Sequence, residues 1–396
     1  MPDSRRPLSN ASDNRTRRLA ALKPTDGTGK KIALFGCGCL LLIATVIALL
    51  LVGAETIYLF SQKPLLSVVS VVLALVVCVP YAAVFLWIDR NEKEPFYLLA
   101  ASFFWGAVLA IAASGLVNSL FGGIAGSVLG DPQAAHQLTA SISAPIIEEV
   151  TKGMALLVIF IGFARHFDNV LDGVVYGAFV GLGFATVENF HYYVQNPDIT
   201  SAFVLFIVRG IIASIGSHAC YTALTGAGLG MFRVMRGGAL RWLLPPLGLA
   251  MAMFAHFAWN TFAGVIAEMT GVGIFGVALS VLILSTPFVL LVVVTIFLSL
   301  RHETKLIRKY LQEESDSVVD AEDIDLLVPA RRRLWRSLEL AFSGQIKDWW
   351  ELRRRSQRLV ELAFEKWHMD QELEKGSQQR AQKHARRITE LRAELA

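Results

Sequence analysis

The chain is poor in charge and poor in cysteine. Only 18% of its 396 residues are Asp, Glu, Lys or Arg, against 54% that are hydrophobic. That balance excludes an ordinary soluble globular protein and places the chain among polytopic membrane proteins. The four cysteines, Cys37, Cys39, Cys78 and Cys220, all fall inside apolar runs. Cys37-Gly-Cys39 is too short for a CxxC pair, and no cysteine shows metal-ligand spacing. A disulfide framework and a thiolate metal site are therefore excluded, and the four read as small buried hydrophobes. An HExxH helix is also missing, so any metal site has to be assembled from residues far apart in sequence. A secretory signal peptide is excluded as well, because the first apolar run is long, starts only after Lys31 and has no small-residue cleavage site behind it.

What is abundant is long apolar sequence. Spans at 32–60, 64–88, 96–120, 141–163, 170–194, 202–232, 241–267 and 272–300 are each long enough to cross a bilayer. The expected fold is all-α, a polytopic membrane protein of about eight transmembrane helices with a small cytoplasmic helical C-terminal region. Arg90 and Lys93 fall in the second connection, Arg165 in the fourth, and Arg233, Arg236 and Arg241 in the sixth; a basic stretch follows Leu300. The odd-numbered connections carry little beyond Lys63. This asymmetry predicts a multi-pass protein of the cell membrane with both termini cytoplasmic. The expected domains are a disordered basic tail at 1–31, a membrane domain at 32–300 and a cytoplasmic helical region at 301–396.

Within the apolar spans a few polar residues stand out by their cost. Ala144-Pro-Ile-Ile-Glu148-Glu149-Val-Thr-Lys152-Gly153 sits in the fourth. Each charge at mid-membrane costs roughly 2.5–3.5 kcal/mol, so three unpaired ones would cost on the order of 8 kcal/mol. Lys152 lies one turn from both glutamates and can pair with either, which lowers that figure. A purely structural pair needs one carboxylate; this helix carries two. The fifth span puts Phe184, Glu188 and Tyr192 on one stripe, the sixth carries Arg209 and His218, and the seventh stacks His256 and Asn260 one turn apart. Counting 1.5 Å per residue inward, Glu148, Glu188 and His256 fall roughly 9–17 Å below the outer surface, where they can share one cavity. His218 falls roughly 24 Å down if the sixth helix starts at Ala202. Either Ala202–Val208 lies along the interface and the crossing helix starts near Arg209, or Gly210 and Gly216 break it; the favoured expectation is the first, an interfacial elbow. The third connection, 121–137, reads as a Gly-rich loop or re-entrant lid. Gly173, Gly177 and Gly181 share one face and predict a close helix–helix approach.

These motifs resemble the PrsW family of intramembrane proteases, within the wider superfamily of CAAX-prenyl proteases. The residues that carry the likeness are Glu148-Glu149-x-x-Lys152, Phe184-x-x-x-Glu188-x-x-x-Tyr192, Arg209 with His218, His256-x-x-Trp259-Asn260, and Asp89-Arg90-Asn91-Glu92-Lys93-Glu94-Pro95. The likeness covers about residues 80–300. The sequence departs from the prenyl-processing branch, which has a histidine where Glu188 stands. The resemblance implies hydrolysis of a peptide bond in a membrane-protein substrate, such as a single-span anti-sigma factor clipped on its extracytoplasmic side. Glu148, Glu149, Lys152, Glu188, His218, His256 and Asn260 form the candidate catalytic set, with Glu148 as the base that activates water. Glu188, His218 and His256 can ligate a Zn2+ ion, or the carboxylates can act without a metal; the residues leave both open.

Two other classes remain: a proton-coupled transporter, in which Glu, His and Lys form a relay, and a non-catalytic membrane scaffold. No inverted repeat supports the first. The helical periodicity after Ala330 suggests a bundle able to form a homo-oligomer, with Trp349 and Trp350 as core or membrane-interface anchors and the basic runs Arg331–Arg333 and Arg353–Arg355 solvated or facing lipid. Acidic residues nearly balance the basic ones across this region, so no nucleic acid is expected as a partner; the partners are lipid and the membrane-protein substrate.

Overall fold

The computed structural model describes residues 29–235, 237–270, 273–314, 319, 324–325, 328–374 and 376–395. Among these every element is helical. The basic tail expected at 1–31 lies almost wholly outside the described residues. The chain divides into two compact units, Ala33–Phe297 and a second built from Leu298–Ala396 with the residues up to Ile32.

In the first unit α1 (Gly29–Gln62) and α2 (Pro64–Ile88) are followed by α3, a long helix over Phe96–Leu129 with a π turn at Trp105–Ala110. The short α4 (Pro132–Leu138) leads through a second π turn, Thr139–Ser143, into α5 (Ala144–Gly162). Next come α6 (Val170–Val194), α7 with its π turn (Ile199–Ile212), and α8 (His218–Val234). A 3-10 turn at Ala239–Leu243 opens α9 (Leu244–Met269), followed by α10 (Gly273–Ser280), a π turn and α11 (Thr286–Gln312). Among the described residues six helical segments are long and apolar enough to cross a membrane. The segments holding α5 and α8 are shorter or more polar and fall outside those six. The protein is thus a polytopic all-α membrane protein.

The order of burial follows from glycine. α6 is the central helix, with most of its length enclosed. A Cβ added at Gly173, Gly177 or Gly181 would collide with the carbonyl of Gly226, Thr222 or His218 on α8, so only glycine permits the observed approach. On the opposite side, Gly183 meets the Phe103 carbonyl and Gly106 meets that of Val180, which draws α3 against α6.

Two expectations about connections are corrected. The stretch at 121–137 is not a loop or lid: α3 runs on to Leu129, stops at Gly130 in the left-handed conformation (φ 65°), and Asp131 caps α4 by accepting from the Gln133 and Ala134 amides. The only real connection is two residues. The sixth segment does divide into a short first part, α7, and a second helix, α8, but α8 starts at His218 rather than near Arg209. The chain between α7 and α8 is broken at Ser214–Gly216 and extended at Ser217 (φ −100°, ψ −154°). Gly216 packs against Ser285, where a Cβ would not fit.

In the second unit α12 (Ala330–Phe342), α13 (Ile346–Glu374) and α14 (Gln378–Leu395) form a helical region. Leu359, Val360, Ala363 and Phe364 of α13 bury against Leu306, Ile307, Tyr310 and Leu311 of α11. Leu362 and Met369 bury against Ala381, Ala385, Ile388 and Leu391 of α14.

Candidate active site

Four of the unusual polar positions converge on α5. Lys152 is fully buried, and its ammonium donates to Glu149 Oε1 at 2.6 Å, stands 3.0 Å from His218 Nδ1 and lies 3.8 Å from Glu148 Oε2. It also sits 4.1 Å from the centre of the Phe184 ring. The i,i+3 and i,i+4 spacing read in the sequence is therefore used twice, once tightly and once loosely. α5 is held in place by Trp105, whose indole donates to the Thr151 carbonyl at 3.0 Å from the π turn of α3.

The two glutamates differ. Glu149 is fully enclosed: it takes the Lys152 proton donor, lies 3.0 Å from His256 Nδ1, and accepts from Thr222 Oγ1 at 3.4 Å. Its bond to Nδ1 fixes the orientation of the His256 ring and turns Nε2 toward Glu148, at 3.9 Å. Tyr221 stacks on that ring with centroids 5.2 Å apart. Glu148, by contrast, presents a buried Oε2 with no hydrogen-bond partner among the described residues.

Glu188 on α6 is engaged from two sides. Arg209 donates to it, and also to Asn189 Oδ1 at 2.8 Å, while its guanidinium lies 3.9 Å from the Tyr192 ring. His218 Nε2 is 2.6 Å from the same Glu188 oxygen. The break at Ser217 allows this: on one unbroken helix, nine residues would put Arg209 and His218 on opposite faces. Asn260 donates to the Ala140 carbonyl at 2.9 Å, tying α9 to the π turn before α5.

Glu148, Glu188, Asn189, Tyr192, Arg209, His218, Tyr221, His256 and Asn260 line one cavity of about 610 Å³, whereas Lys152, Glu149, Thr222 and Phe184 do not. His136, Thr139, Ser214 and Ser217 add polar groups, and most of the remaining wall is apolar. Val77, Tyr81 and Val84 of α2 contribute on one side, and Val289, Val293 and Ile296 of α11 on the other.

The sequence model of a family described as PrsW family intramembrane metalloprotease matches residues 94–298, just over half the chain. The chain belongs to the PrsW family. Protease PrsW of Bacillus subtilis (strain 168) is 30% identical over 173 residues, 43% of this chain and 72% of that protein. The namesake proteins of Geobacillus kaustophilus (strain HTA426) and Clostridioides difficile (strain 630) are also 30% identical, over 35% and 39% of this chain and 55% and 63% of their own lengths. No solved structure matches. Membership makes the protein an intramembrane protease and removes the carrier and scaffold alternatives.

The PrsW family description includes a metal, and the residues fit one. Glu148, His218 and His256 each offer a buried ligand atom, all within 4.8 Å of one another. Charge agrees: three carboxylates (Glu148, Glu149, Glu188) face two cations (Lys152, Arg209), which leaves one negative charge over, and Glu148 is the carboxylate with an unpartnered oxygen. The triad groups Glu148 with the histidines where the sequence reading had offered Glu188. The physical reason is Arg209, which already neutralises Glu188.

The sequence reading did not single out Thr222, Tyr221 or Asn189 as partners. Thr222 and Tyr221 sit one turn past His218 on α8, and Asn189 adjoins Glu188, so helical offset from the named residues was the available signal.

Proposed function

We propose that this PrsW-family protein cleaves a peptide bond of a single-span membrane protein, such as an anti-sigma factor, with a water held and deprotonated by Glu148. The observation that carries the reading is the unpartnered Glu148 Oε2, buried on the wall of the cavity beside His256 Nε2. A buried carboxylate oxygen without a donor is costly to keep, and a water or a cation supplies what it lacks.

The water oxygen attacks the scissile carbonyl carbon as its proton passes to Glu148. His256, oriented by Glu149, and Asn260 face the same cavity and are assigned to the carbonyl oxygen as it becomes an oxyanion. The carbon–nitrogen bond then breaks, and the proton held by Glu148 passes to the departing amine. Lys152, shared between Glu149 and Glu148, limits the negative charge that builds up on α5. Glu188 and Arg209 hold His218 in place. A divalent cation such as zinc would be held by Glu148, His218 and His256, and would supply Lewis acidity to the carbonyl and acidify bound water.

The apolar walls on α2 and α11 suit a substrate that arrives as a membrane helix, since lipid-facing side chains need no desolvation there. The eight-span arrangement, the cytoplasmic placement of both termini and the outer-half location of the site belong to the same proposal. They rest on the Lys/Arg asymmetry of the connections.

The experiment is cleavage of a co-expressed single-span reporter in a Glu148→Gln background, with accumulating membrane proteins identified by proteomics. Loss of cleavage with normal protein levels is expected; unchanged cleavage would reject Glu148 as the water-activating group. Purified protein treated with chelator and then zinc, with bound metal counted directly, separates the metal form from a carboxylate-only one.

A further inference from the structure

The second unit carries a surface that proteolysis does not use and that lies beyond residue 298, where the PrsW match ends. In α12 the residues Leu334, Trp335, Leu338 and Phe342 fall on one face, and all four are exposed, Phe342 to 87% and Trp335 to 64%. The opposite face packs: Leu340 is buried, and Ser337 accepts from the Trp349 indole at 2.9 Å. Across the turn at Gly344 (φ 76°), α13 begins with exposed Ile346 and Trp350, the latter 61% exposed. The hairpin thus shows six large apolar side chains to the outside. So large an apolar patch on an ordinary soluble surface is rare.

Its charge is one-sided. Arg331, Arg332, Arg333, Arg336, Lys347, Arg353, Arg354 and Arg355 lie between 330 and 355, against Glu339, Asp348 and Glu351. The Arg353 guanidinium stands 4.8 Å from the Trp349 ring. An exposed face of tryptophan, phenylalanine and leucine on a hairpin with so large an excess of arginine has the chemistry of a helix that lies in the plane of an anionic lipid surface. A protein partner would not require that excess of positive charge. The hairpin is also tethered to a bilayer already, because Ala330 follows the last residue of the apolar span, Leu300, by 30 residues.

We propose that the α12–α13 hairpin docks flat on anionic membrane, with Trp335, Leu338, Phe342 and Trp350 in the acyl boundary and the arginines on lipid phosphates. This inference does not depend on the protease reading.

The test uses the full chain, carrying an environment-sensitive fluorescent amino acid at Leu338, reconstituted into two kinds of vesicle. One kind is phosphatidylcholine alone; the other also contains phosphatidylglycerol. The expected result is blue-shifted emission, quenched by brominated acyl chains, only where phosphatidylglycerol is present. Each of Arg331→Gln, Arg332→Gln and Arg336→Gln should lower the docked-to-free ratio roughly fivefold. Raising salt should reproduce the loss in the unsubstituted chain, so a folding defect in a variant cannot mask the answer. A probe at Lys383, exposed on α14, should stay solvent-like throughout. Solvent-like emission at Leu338 in both vesicles overturns the proposal. So does an apolar signal that ignores lipid charge and vanishes on dilution to one copy per vesicle, which would mark a second copy of the chain as the occupant.

Discussion

Two lysines are buried among the described residues, and their surroundings differ in one respect. Lys366, in the second unit, sits 2.7 Å from Glu314 and 2.8 Å from Glu313, and Arg392 adds bonds of 2.7 and 2.9 Å to Glu314. Two cations meet two carboxylates. Lys152, in the membrane unit, shares two glutamates with nothing to balance the second, and Glu148 Oε2 keeps no donor. A cluster that only holds helices together satisfies its members, and the proposed chemistry at Glu148 needs an atom left available. Burial alone would not have told them apart, since both lysines are almost fully enclosed.

That contrast can be broken by experiment. The largest effect is expected from Glu148→Gln, with turnover of a membrane substrate falling by at least about a hundredfold while the melting temperature hardly moves. A parallel fall in both would make Glu148 structural, like Glu314. Lys366→Met should show the reverse. It leaves Glu314 buried with one cation fewer and should destabilise the second unit by about 3–5 kcal/mol, read as faster proteolysis of 301–396, with cleavage activity retained. Burial acts to raise the Glu314 carboxyl, but Arg392 and Lys366 hold it below the usual range. Its contribution to stability is therefore present above the ordinary glutamate range and is lost as pH falls through the lowered value.

A smaller effect tests how the site is positioned. Gly181→Ala places a methyl on the His218 carbonyl and should cost about 1–3 kcal/mol, with activity falling more than stability because α8 carries His218 itself. Equal losses for Gly181→Ala and Gly173→Ala, which lies two turns farther from His218, would show that only packing is at stake.

A last effect, comparable in size but visible only in its pH dependence, concerns Glu94, in the connection before α3. Its carboxyl is buried and accepts from the Tyr176 hydroxyl; burial, and next the charge of Asp172, push it up to about 11 from an ordinary 4.5. A raised carboxyl contributes its full stability below pH 4.5 and loses it as pH rises toward 11. Glu94→Gln should therefore match the parent at pH 4 and exceed it by roughly 1–3 kcal/mol at pH 7. A stability difference that does not change with pH would show that Glu94 is ionised in the folded protein.

Much of the membrane unit is legible from residue order alone. Long apolar runs force helices in a bilayer because no other element satisfies its own backbone there, and charges stand out in such runs by their cost. That reasoning is local, so it singled out Glu148, Glu149, Lys152, Glu188, His218, His256 and Asn260 as candidates, together with the glycine face of α6. It offered a break at Gly210 and Gly216 only as a second choice for the sixth segment, because Gly216 is decided by its fit against Ser285, 69 residues away in the chain. Nor could it rank the two adjacent glutamates. Which one is saturated and which is left open depends on His256 and Thr222 arriving from other helices. The residue types and their helical spacing were set by the sequence itself. The different surroundings of Glu148 and Glu149, and the pairing of Glu188 with Arg209, came only from tertiary packing, because hydrogen bonds are satisfied in space and not along the chain.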